Sequence, residues 1–309
     1  MFGHHPMTID AVLIAGPTAS GKSAAALALA QALNGVIINA DSMQVYAEAP
    51  ILTAQPSAAD KARAPHLLYG HVSAAESYSV GRYAADAAAA FQQARASGKL
   101  PIFVGGTGLY FMALTDGLAH VPLIPPDIRA KARALLAEIG VAALHARLAQ
   151  RDPKTAALLR PTDPQRTLRA YEVIEATGIP LADWQRSPTD PILKNLRLAK
   201  FVLDLPRPEL RARVAARFEA MVEEGGLAEA LALKQLDPAL PAAKLLGLRP
   251  LIGLAEGRLA KDEALAQAIT ATRQFAKRQS TWFRNRMADY VWVDPIDSNI
   301  VIKMKQNFA

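Results

Sequence analysis

Residues 16–23 read Gly16-Pro17-Thr18-Ala19-Ser20-Gly21-Lys22-Ser23, the phosphate-binding pattern G-x-x-x-x-G-K-S/T. In such a loop the backbone N–H groups surround phosphate oxygens, the lysine adds a positive charge, and the closing hydroxyl ligates Mg²⁺. Residues 11–15 form an apolar run typical of a buried strand, and residues 24–32 have strong helix propensity. Strand, glycine turn and helix are the context that this pattern requires. We therefore predict a diphosphate or triphosphate site at a helix N-terminus, with Ser23 as metal ligand.

Further apolar runs alternate with helix-forming sequence. Residues 36–40, 101–104 and 199–203 are predicted strands, and residues 82–96 are a predicted helix. This alternation predicts an α/β fold, a doubly wound parallel sheet like that of the P-loop NTPases. Ligands bind such sheets at the carboxyl ends of the strands. Asp41-Ser42-Met43-Gln44 directly follows one predicted strand and is therefore expected at that edge.

The strand signals stop at about residue 120. Pro125-Pro126-Asp127 predicts the start of a helix that ends near residue 138, and residues 141–150 form another. Asp163 is a good N-cap with Pro164 at the first helical position, and Gly178 is a plausible stop. We therefore divide the chain into a core domain, residues 1–119 and 197–309, and a helical insertion domain, residues 120–196.

Composition limits the class of protein. The chain has 309 residues, 51% of them apolar, and no cysteine, which excludes disulfides and cysteine-ligated metals and fits a reducing compartment. No apolar run is long enough to span a bilayer, and residues 1–6 lack the pattern of a signal peptide. We expect a cytoplasmic protein without membrane contact. The formal charge of +7 favours a polyanionic partner.

Two basic clusters lie in the C-terminal half. Within residues 272–284, helical spacing places Arg273, Lys277 and Arg284 near one face and Phe275 and Trp282 on another. This face is either a solvated surface over an aromatic core contact or a stripe that neutralises RNA phosphates. The spacing alone favours the first interpretation and leaves both open.

The second cluster follows residues 199–203, which we take as the last strand. It contains Arg207, Arg211, Arg213 and Arg217. Arg213 and Arg217 lie one helical turn apart, so they could face the same anion. They could equally be surface arginines paired with acids.

Five segments resemble, in order, the signatures of bacterial tRNA dimethylallyltransferases, and they cover the chain from about residue 11 to 293. They are residues 16–23, Asp41-Ser42-Met43-Gln44-Val45-Tyr46, Gly105-Gly106-Thr107-Gly108-Leu109-Tyr110, Asp163-Pro164-Gln165-Arg166 and residues 272–284. The resemblance implies transfer of a dimethylallyl group from its diphosphate to N6 of the adenosine beside the tRNA anticodon. It implies Mg²⁺ as cofactor, dimethylallyl diphosphate and the tRNA anticodon stem-loop as partners, and we expect a monomer.

The resemblance also implies roles for individual residues. Asp41 is the expected general base, Thr107 hydrogen-bonds near the reacting groups, and Arg217 resembles an arginine that contacts the diphosphate. The target base must leave its stack before it can react. Besides Asp41 and Thr107, the expected tRNA contacts are Ser42, Met43, Gln44, Arg129, Gln165, Arg166, Thr167, Leu168, Arg169, Lys244, Arg249, Lys277, Arg278 and Arg284.

Two segments depart from the pattern of the family. Leu52-Thr53-Ala54-Gln55-Pro56 stands where the family usually has Gly-Thr-Ala-Lys-Pro, and Gly247-Leu248-Arg249-Pro250 stands where it has Gly-Tyr-Arg-Gln. These changes bear on local tRNA contacts and leave the catalytic motifs intact.

Two other functions remain as alternatives. A small-molecule kinase would use the loop for ATP, with Asp41 ending a Walker B strand as a Mg²⁺ ligand. A non-catalytic RNA-binding protein would use nucleotide only as a switch. The basic and aromatic helix argues against the first alternative, and the Asp41–Thr107 pair argues against the second.

Overall fold

The computed structural model describes residues 9–297 and 299–308, so residues 1–6, where no signal peptide was expected, lie outside the described part. The chain forms two compact units. The first combines the chain up to residue 115 with the chain from residue 192 onward, and the second consists of residues 116–191. The boundaries predicted from the sequence were 119/120 and 196/197. Each unit is described by itself below.

The first unit is built on a parallel sheet, to which six strands contribute within the described residues. In chain order they are β1 Ala11–Ala15, β2 Gly35–Asn39, β3 His66–Leu67, β4 Leu100–Gly105, β5 Leu198–Leu203 and β6 Val291–Val293. Their spatial order is β3-β2-β4-β1-β5-β6. Parallel pairing holds throughout, for example Val12 with Ile102 and with Ala199. The carboxyl ends of β1, β2 and β4 therefore meet at one edge.

Helices of this unit cover the sheet and extend from it. They are α1 Lys22–Leu33, α2 Ala58–Arg63, α3 Val80–Ala96, α4 Gly108–Thr115, α9 Arg207–Glu223, α10 Gly226–Ala232, α11 Leu248–Ala255, α12 Lys261–Arg286 and α13 Ile300–Gln306, with a 3₁₀ turn at Pro241–Lys244. The labels α5 to α8 belong to the second unit.

Strand β1 shows why both faces of the sheet are covered. All five of its residues are buried. Leu13 packs into a core with Tyr83, Phe103 and Phe283, whereas Ile14 packs into a second core with Leu29 on α1. Successive strand residues point to opposite faces, so a continuous apolar run needs helices on both sides. The predicted doubly wound α/β fold is confirmed.

The second unit is helical. Its helices are α5 Pro126–Arg151, α6 Pro153–Ala156, α7 Pro164–Thr177 and α8 Leu181–Trp184. Gly140 has φ 76° and ψ 168°, which breaks α5 into the two helices that the sequence predicted. Asp163 caps α7 by accepting a hydrogen bond from the backbone N–H of Arg166 at 3.0 Å, and Gly178 ends α7 in a left-handed conformation. Both predicted cap signals are therefore present.

Two expectations about strands were wrong. The sequence did not predict β3 or β6, and β5 is not the last strand, since β6 follows it in the chain and pairs with it. These strands have two and three residues, too short to show a period-two pattern.

Candidate active site

The phosphate loop connects β1 to α1. Gly21 precedes the helix with φ 87°, a conformation that glycine adopts without strain. Lys22 is buried, and its Nζ donates to the carbonyl oxygen of Pro17 at 3.1 Å. Burial lowers the pKa of Lys22 to about 8; the nearby Asp41 carboxylate opposes this shift and Arg217 adds to it. The loop thus holds a desolvated cation beside open backbone N–H groups at a helix N-terminus.

Asp41 lies at the carboxyl end of β2 and is held by its neighbours. Its backbone N–H donates to Oδ1 of Asn39 at 2.8 Å, and its own Oδ1 accepts from the N–H of Met43 at 3.0 Å. Asn39 is fully buried and its Nδ2 donates to the carbonyl oxygens of Asp41 and Leu68. The carboxylate is therefore fixed in orientation while remaining partly accessible.

Thr107 joins this edge of the sheet to the segment after Asp41. Its Oγ1 accepts from the backbone N–H of Ser42 at 2.9 Å and lies 3.2 Å from Oγ of Ser42. Its own backbone N–H donates to the carbonyl oxygen of Ala40 at 3.2 Å. The expected proximity of Asp41 and Thr107 follows from the pairing of β2 with β4.

Helix α9 brings arginines to the phosphate loop. Arg217 donates from NH1 to Oγ1 of Thr18 at 3.1 Å. Burial lowers its pKa, and the Asp41 carboxylate opposes that shift. Arg213 lies beside Gly21, where a Cβ would come within 3.2 Å of its NH1. Of the two interpretations that the sequence left open, the structure favours a shared anion, because both side chains reach the same loop.

A small apolar cavity of about 50 Å³ opens beside the phosphate loop. Its polar lining comes from Thr18, Asp41, Thr53, Arg217 and Thr272. The rest of the lining is apolar and comes from Met43, Leu52, Val214, Phe218, Met221, Leu245, Leu246 and Phe275. The site therefore places one carboxylate and one guanidinium at the edge of an otherwise apolar space.

A larger cavity of about 370 Å³ lies between α9 and α12. Five cations line it, namely Arg207, Arg211, Arg273, Lys277 and Arg284. Asp204 also lines it and forms an ion pair with Arg284 at 2.8 Å. The predicted common face of Arg273, Lys277 and Arg284 is thus present, and the two basic clusters of the sequence meet there.

Comparisons with known proteins match this architecture. The profile of the IPP transferase family matches residues 44–286, and that of isopentenyl transferases matches residues 9–64. A tRNA dimethylallyltransferase of Rhodopseudomonas palustris (strain BisB18) is 54% identical over 287 residues, covering 92% of this chain and 91% of the relative. One of Azorhizobium caulinodans is 52% identical over 283 residues and covers 91% of each chain. The chain belongs to the tRNA dimethylallyltransferase family.

Solved structures of the tRNA dimethylallyltransferase family share the fold. A full-length tRNA isopentenylpyrophosphate transferase of Bacillus halodurans has a TM-score of 0.68 and 32% identity, and covers 97% of this chain and 95% of its own. A eukaryotic dimethylallyltransferase described as acting on tRNA has a TM-score of 0.79 and 26% identity, covering 93% and 74%. The resemblance inferred from the motifs is confirmed, and the kinase interpretation gains no support from these relatives.

The residues of the core unit that tRNA dimethylallyltransferase motifs assign to tRNA differ in accessibility. Lys244, Arg249, Lys277, Arg278 and Arg284 are exposed, with the guanidinium of Arg278 5.7 Å from the ring centre of Phe275. Ser42, Met43 and Gln44 are half-buried. The side-chain amide of Gln44 donates to the carbonyl oxygens of Thr53 and Ala54 at 3.0 and 2.8 Å. Its amide nitrogen is therefore engaged within the protein.

Within the second unit, the expected contacts lie mainly at the start of α7. Gln165 and Arg166 are exposed, and Arg166 pairs with Asp163 at 3.5 Å. Leu168, Arg169 and Arg129 are half-buried; Arg169 lies 3.7 Å from Glu172, and its pKa is lowered by burial and by Arg129. Thr167 is fully buried. The accessible part of this set is therefore Gln165 and Arg166, with partial access at the other three.

The two departures from the family pattern are accommodated locally. Leu248 is buried in the core at the start of α11, and Pro250 occupies the first turn of that helix, where no N–H is needed. Gln55 donates from Nε2 to the carbonyl oxygen of Tyr46 at 2.8 Å. Leu52 lines the apolar cavity. Both segments therefore serve packing in this chain.

Sequence reasoning gave no role to several side chains that build the site. Asn39 orients Asp41, and Phe218 and Met221 line the apolar cavity. Gln279 lies in a motif that the sequence analysis quoted, but its contacts could not be inferred from that motif. An amide at the end of a buried strand was the one local signal that pointed to Asn39.

Proposed function

We propose that this protein transfers a dimethylallyl group from dimethylallyl diphosphate to N6 of the adenosine at position 37 of tRNA, beside the anticodon, and releases diphosphate. One observation carries the proposal: an apolar cavity opens at the phosphate loop and is bordered by Asp41 and Arg217. Its volume of about 50 Å³ has room for roughly four water molecules, close to the size of a branched five-carbon group. A phosphoryl-transfer site has no use for such a cavity.

The donor fits the site by its two chemical ends. The diphosphate suits the N–H groups of the loop, the Lys22 ammonium and the Arg217 guanidinium, which together stabilise the charge that develops as diphosphate leaves. The dimethylallyl group suits the apolar walls, where burial excludes water from the electrophilic carbon. Water there would hydrolyse the donor.

The acceptor needs a base. The exocyclic amine of adenine is a weak nucleophile because its lone pair is delocalised into the ring. Asp41 borders the cavity that we assign to the allyl group, so its carboxylate can take a proton from N6 as the new C–N bond forms. Asn39 and Met43 hold the carboxylate, and Thr107 holds the adjoining segment through Ser42. We assign the half-buried segment 42–44 to the flipped base.

Mg²⁺ fits the loop as a partner of the diphosphate. Ser23 is exposed in the first turn of α1 and borders a cavity of about 280 Å³. No group of three or more His, Cys, Asp or Glu side chains that could hold a metal occurs among the residues that the structure describes. A hydroxyl oxygen suits Mg²⁺, which takes most other ligands from phosphates and water. When bound, the ion would neutralise the leaving diphosphate. Asp41 lines a different cavity from Ser23, which favours its role as base.

We assign tRNA to the exposed cations of α12 and to α7 of the insertion. Lys277 and Arg278 project from α12, and Gln165 and Arg166 project from α7. The phosphate loop, Asp41, Thr107 and Arg217 all belong to one compact unit, which supports action as a monomer. None of the helices in residues 9–297 and 299–308 has the length and apolarity of a membrane span. The absence of cysteine supports the cytoplasm as its location.

The direct test is prenylation of tRNA in vitro. Purified protein is incubated with unmodified tRNA, labelled dimethylallyl diphosphate and Mg²⁺, and the nucleosides are analysed after digestion. We expect a prenylated adenosine at position 37 and none with the Asp41→Asn variant. ATP replaces the donor in a parallel reaction. Turnover of the γ-phosphate of ATP without prenyl transfer would support the kinase and refute the proposal.

A further inference from the structure

Gln279 connects two loops of the site that are remote in sequence. Its Oε1 accepts from the backbone N–H of Thr18 at 2.9 Å, and its Nε2 donates to the carbonyl oxygen of Gly106 at 2.8 Å. It is 6% exposed. One side chain of α12 thus satisfies a donor in the phosphate loop and an acceptor in the loop that carries Thr107.

The two loops serve opposite reactants. Thr18 belongs to the loop that we assign to the diphosphate, and it also accepts the hydrogen bond from Arg217. Gly106 precedes Thr107, which holds Ser42 on the acceptor side. The fit around Gln279 is close, because a Cβ at Gly106 would lie 2.3 Å from its Nε2. The amide therefore acts as a spacer of fixed length between donor and acceptor loops.

We propose that Gln279 is a positioning residue, which sets the separation between the donor and the attacking N6 without touching either. The proposal rests on the proposed function for the identity of these two reactants. Transfer requires the reacting atoms in near-contact geometry, and a misplacement of about 1 Å can cost on the order of 10²-fold in rate. Each ligand alone is held by other groups, so its separate affinity does not depend on the spacer.

Gln279→Met tests the spacer, because methionine has nearly the same shape but makes neither hydrogen bond. We expect the single-turnover rate at saturating donor and tRNA to fall at least tenfold. The dissociation constants for inorganic pyrophosphate and for tRNA should stay within about threefold of the wild-type values. Gln267→Met on the exposed face of α12 is the matched control and should leave the rate unchanged. A rate within twofold of wild type, or an equal loss of affinity, overturns the proposal.

Gln279→Glu supplies a second test that does not depend on the methionine variant folding. A protonated carboxyl group can donate to Gly106 and accept from Thr18 as glutamine does, whereas a carboxylate cannot donate. Burial raises the pKa of such a group, so the rate relative to wild type should increase as the pH falls from 8 to 6. A ratio that is independent of pH contradicts the spacer role.

A third measurement separates this proposal from the proposed function. Hydrogen exchange reports the two loops without any reaction, and Gln279→Met should accelerate exchange in peptides containing residues 16–23 and 105–107 together. If wild-type protein does not prenylate tRNA, the proposed function fails, and exchange still decides whether Gln279 joins the loops. Unchanged exchange in either loop refutes the connection.

Discussion

Replacing Lys22 should make the ligand-free protein more stable while it abolishes donor binding. Burial lowers the pKa of Lys22 from 10.5 to about 8. The folded state therefore holds this proton less tightly than the unfolded state does. The resulting penalty is fully present below pH 8 and disappears as the pH rises from 8 toward 10.5. At 1.36 kcal/mol per unit, it amounts to about 3 kcal/mol at pH 7.

Lys22→Met keeps the length of the side chain and removes the charge. It also removes the hydrogen bond to the Pro17 carbonyl, which offsets about 1 kcal/mol. We expect a net gain of about 2 kcal/mol at pH 7, or roughly 4–8 °C in melting temperature. At about pH 9.5 the penalty falls to about 1 kcal/mol, so variant and wild type should melt at nearly the same temperature.

Thermal melting without ligand at pH 7 and at about pH 9.5 measures this gain, and Lys61→Met, at an exposed position of α2, is the matched control. Pyrophosphate with Mg²⁺ should then raise the melting temperature of wild type but not of Lys22→Met. The reasoning is refuted if Lys22→Met is less stable than wild type at pH 7. It is also refuted if the difference is the same at both pH values.

Other parts of the site give three further predictions. Asp41→Asn should lower the single-turnover rate by about 10²- to 10⁴-fold with donor affinity unreduced, and recovery at high Mg²⁺ would show a metal ligand instead. Lys277→Ala and Arg278→Ala should each weaken tRNA binding and reduce its salt slope by about 0.9 for every duplex phosphate left without its cation, or 0.7 for a single strand; an unchanged slope returns α12 to a solvated surface. Met221→Ala should enlarge the apolar cavity, cost about 2–5 kcal/mol of stability, and raise the rate with geranyl diphosphate relative to dimethylallyl diphosphate. An unchanged ratio would place the allyl group elsewhere.

Local signals explain what the sequence predicted well. The phosphate loop, β1 and the caps of α7 depend on residues within a few positions of each other. The meeting of Asp41 with Thr107 needed one further inference, that parallel strands end at a common edge. The role of Arg217 was available only by resemblance, because its contact with Thr18 spans most of the chain.

Long-range packing explains what the sequence could not predict. The apolar cavity collects Met43, Leu52, Phe218 and Phe275 from separate segments, and no one segment marks them as neighbours. Gln279 has the same residue type as exposed glutamines of α12, such as Gln267, and its role depends on loops at Thr18 and Gly106. Strands β3 and β6 are defined by their partners in the sheet rather than by their own few residues.

The way in which the insertion leaves and rejoins the chain has an evolutionary consequence. On the core side, the N–H of Leu193 donates to the carbonyl of Leu114 at 3.0 Å. On the insertion side, Leu118 and Thr189 exchange hydrogen bonds across the two chain segments. Because the ends meet, the core closes the same short gap whatever lies between them, and added length costs little entropy. Selection can therefore lengthen, shorten or replace the insertion to change which RNAs are accepted while the prenyl-transfer site stays as it is.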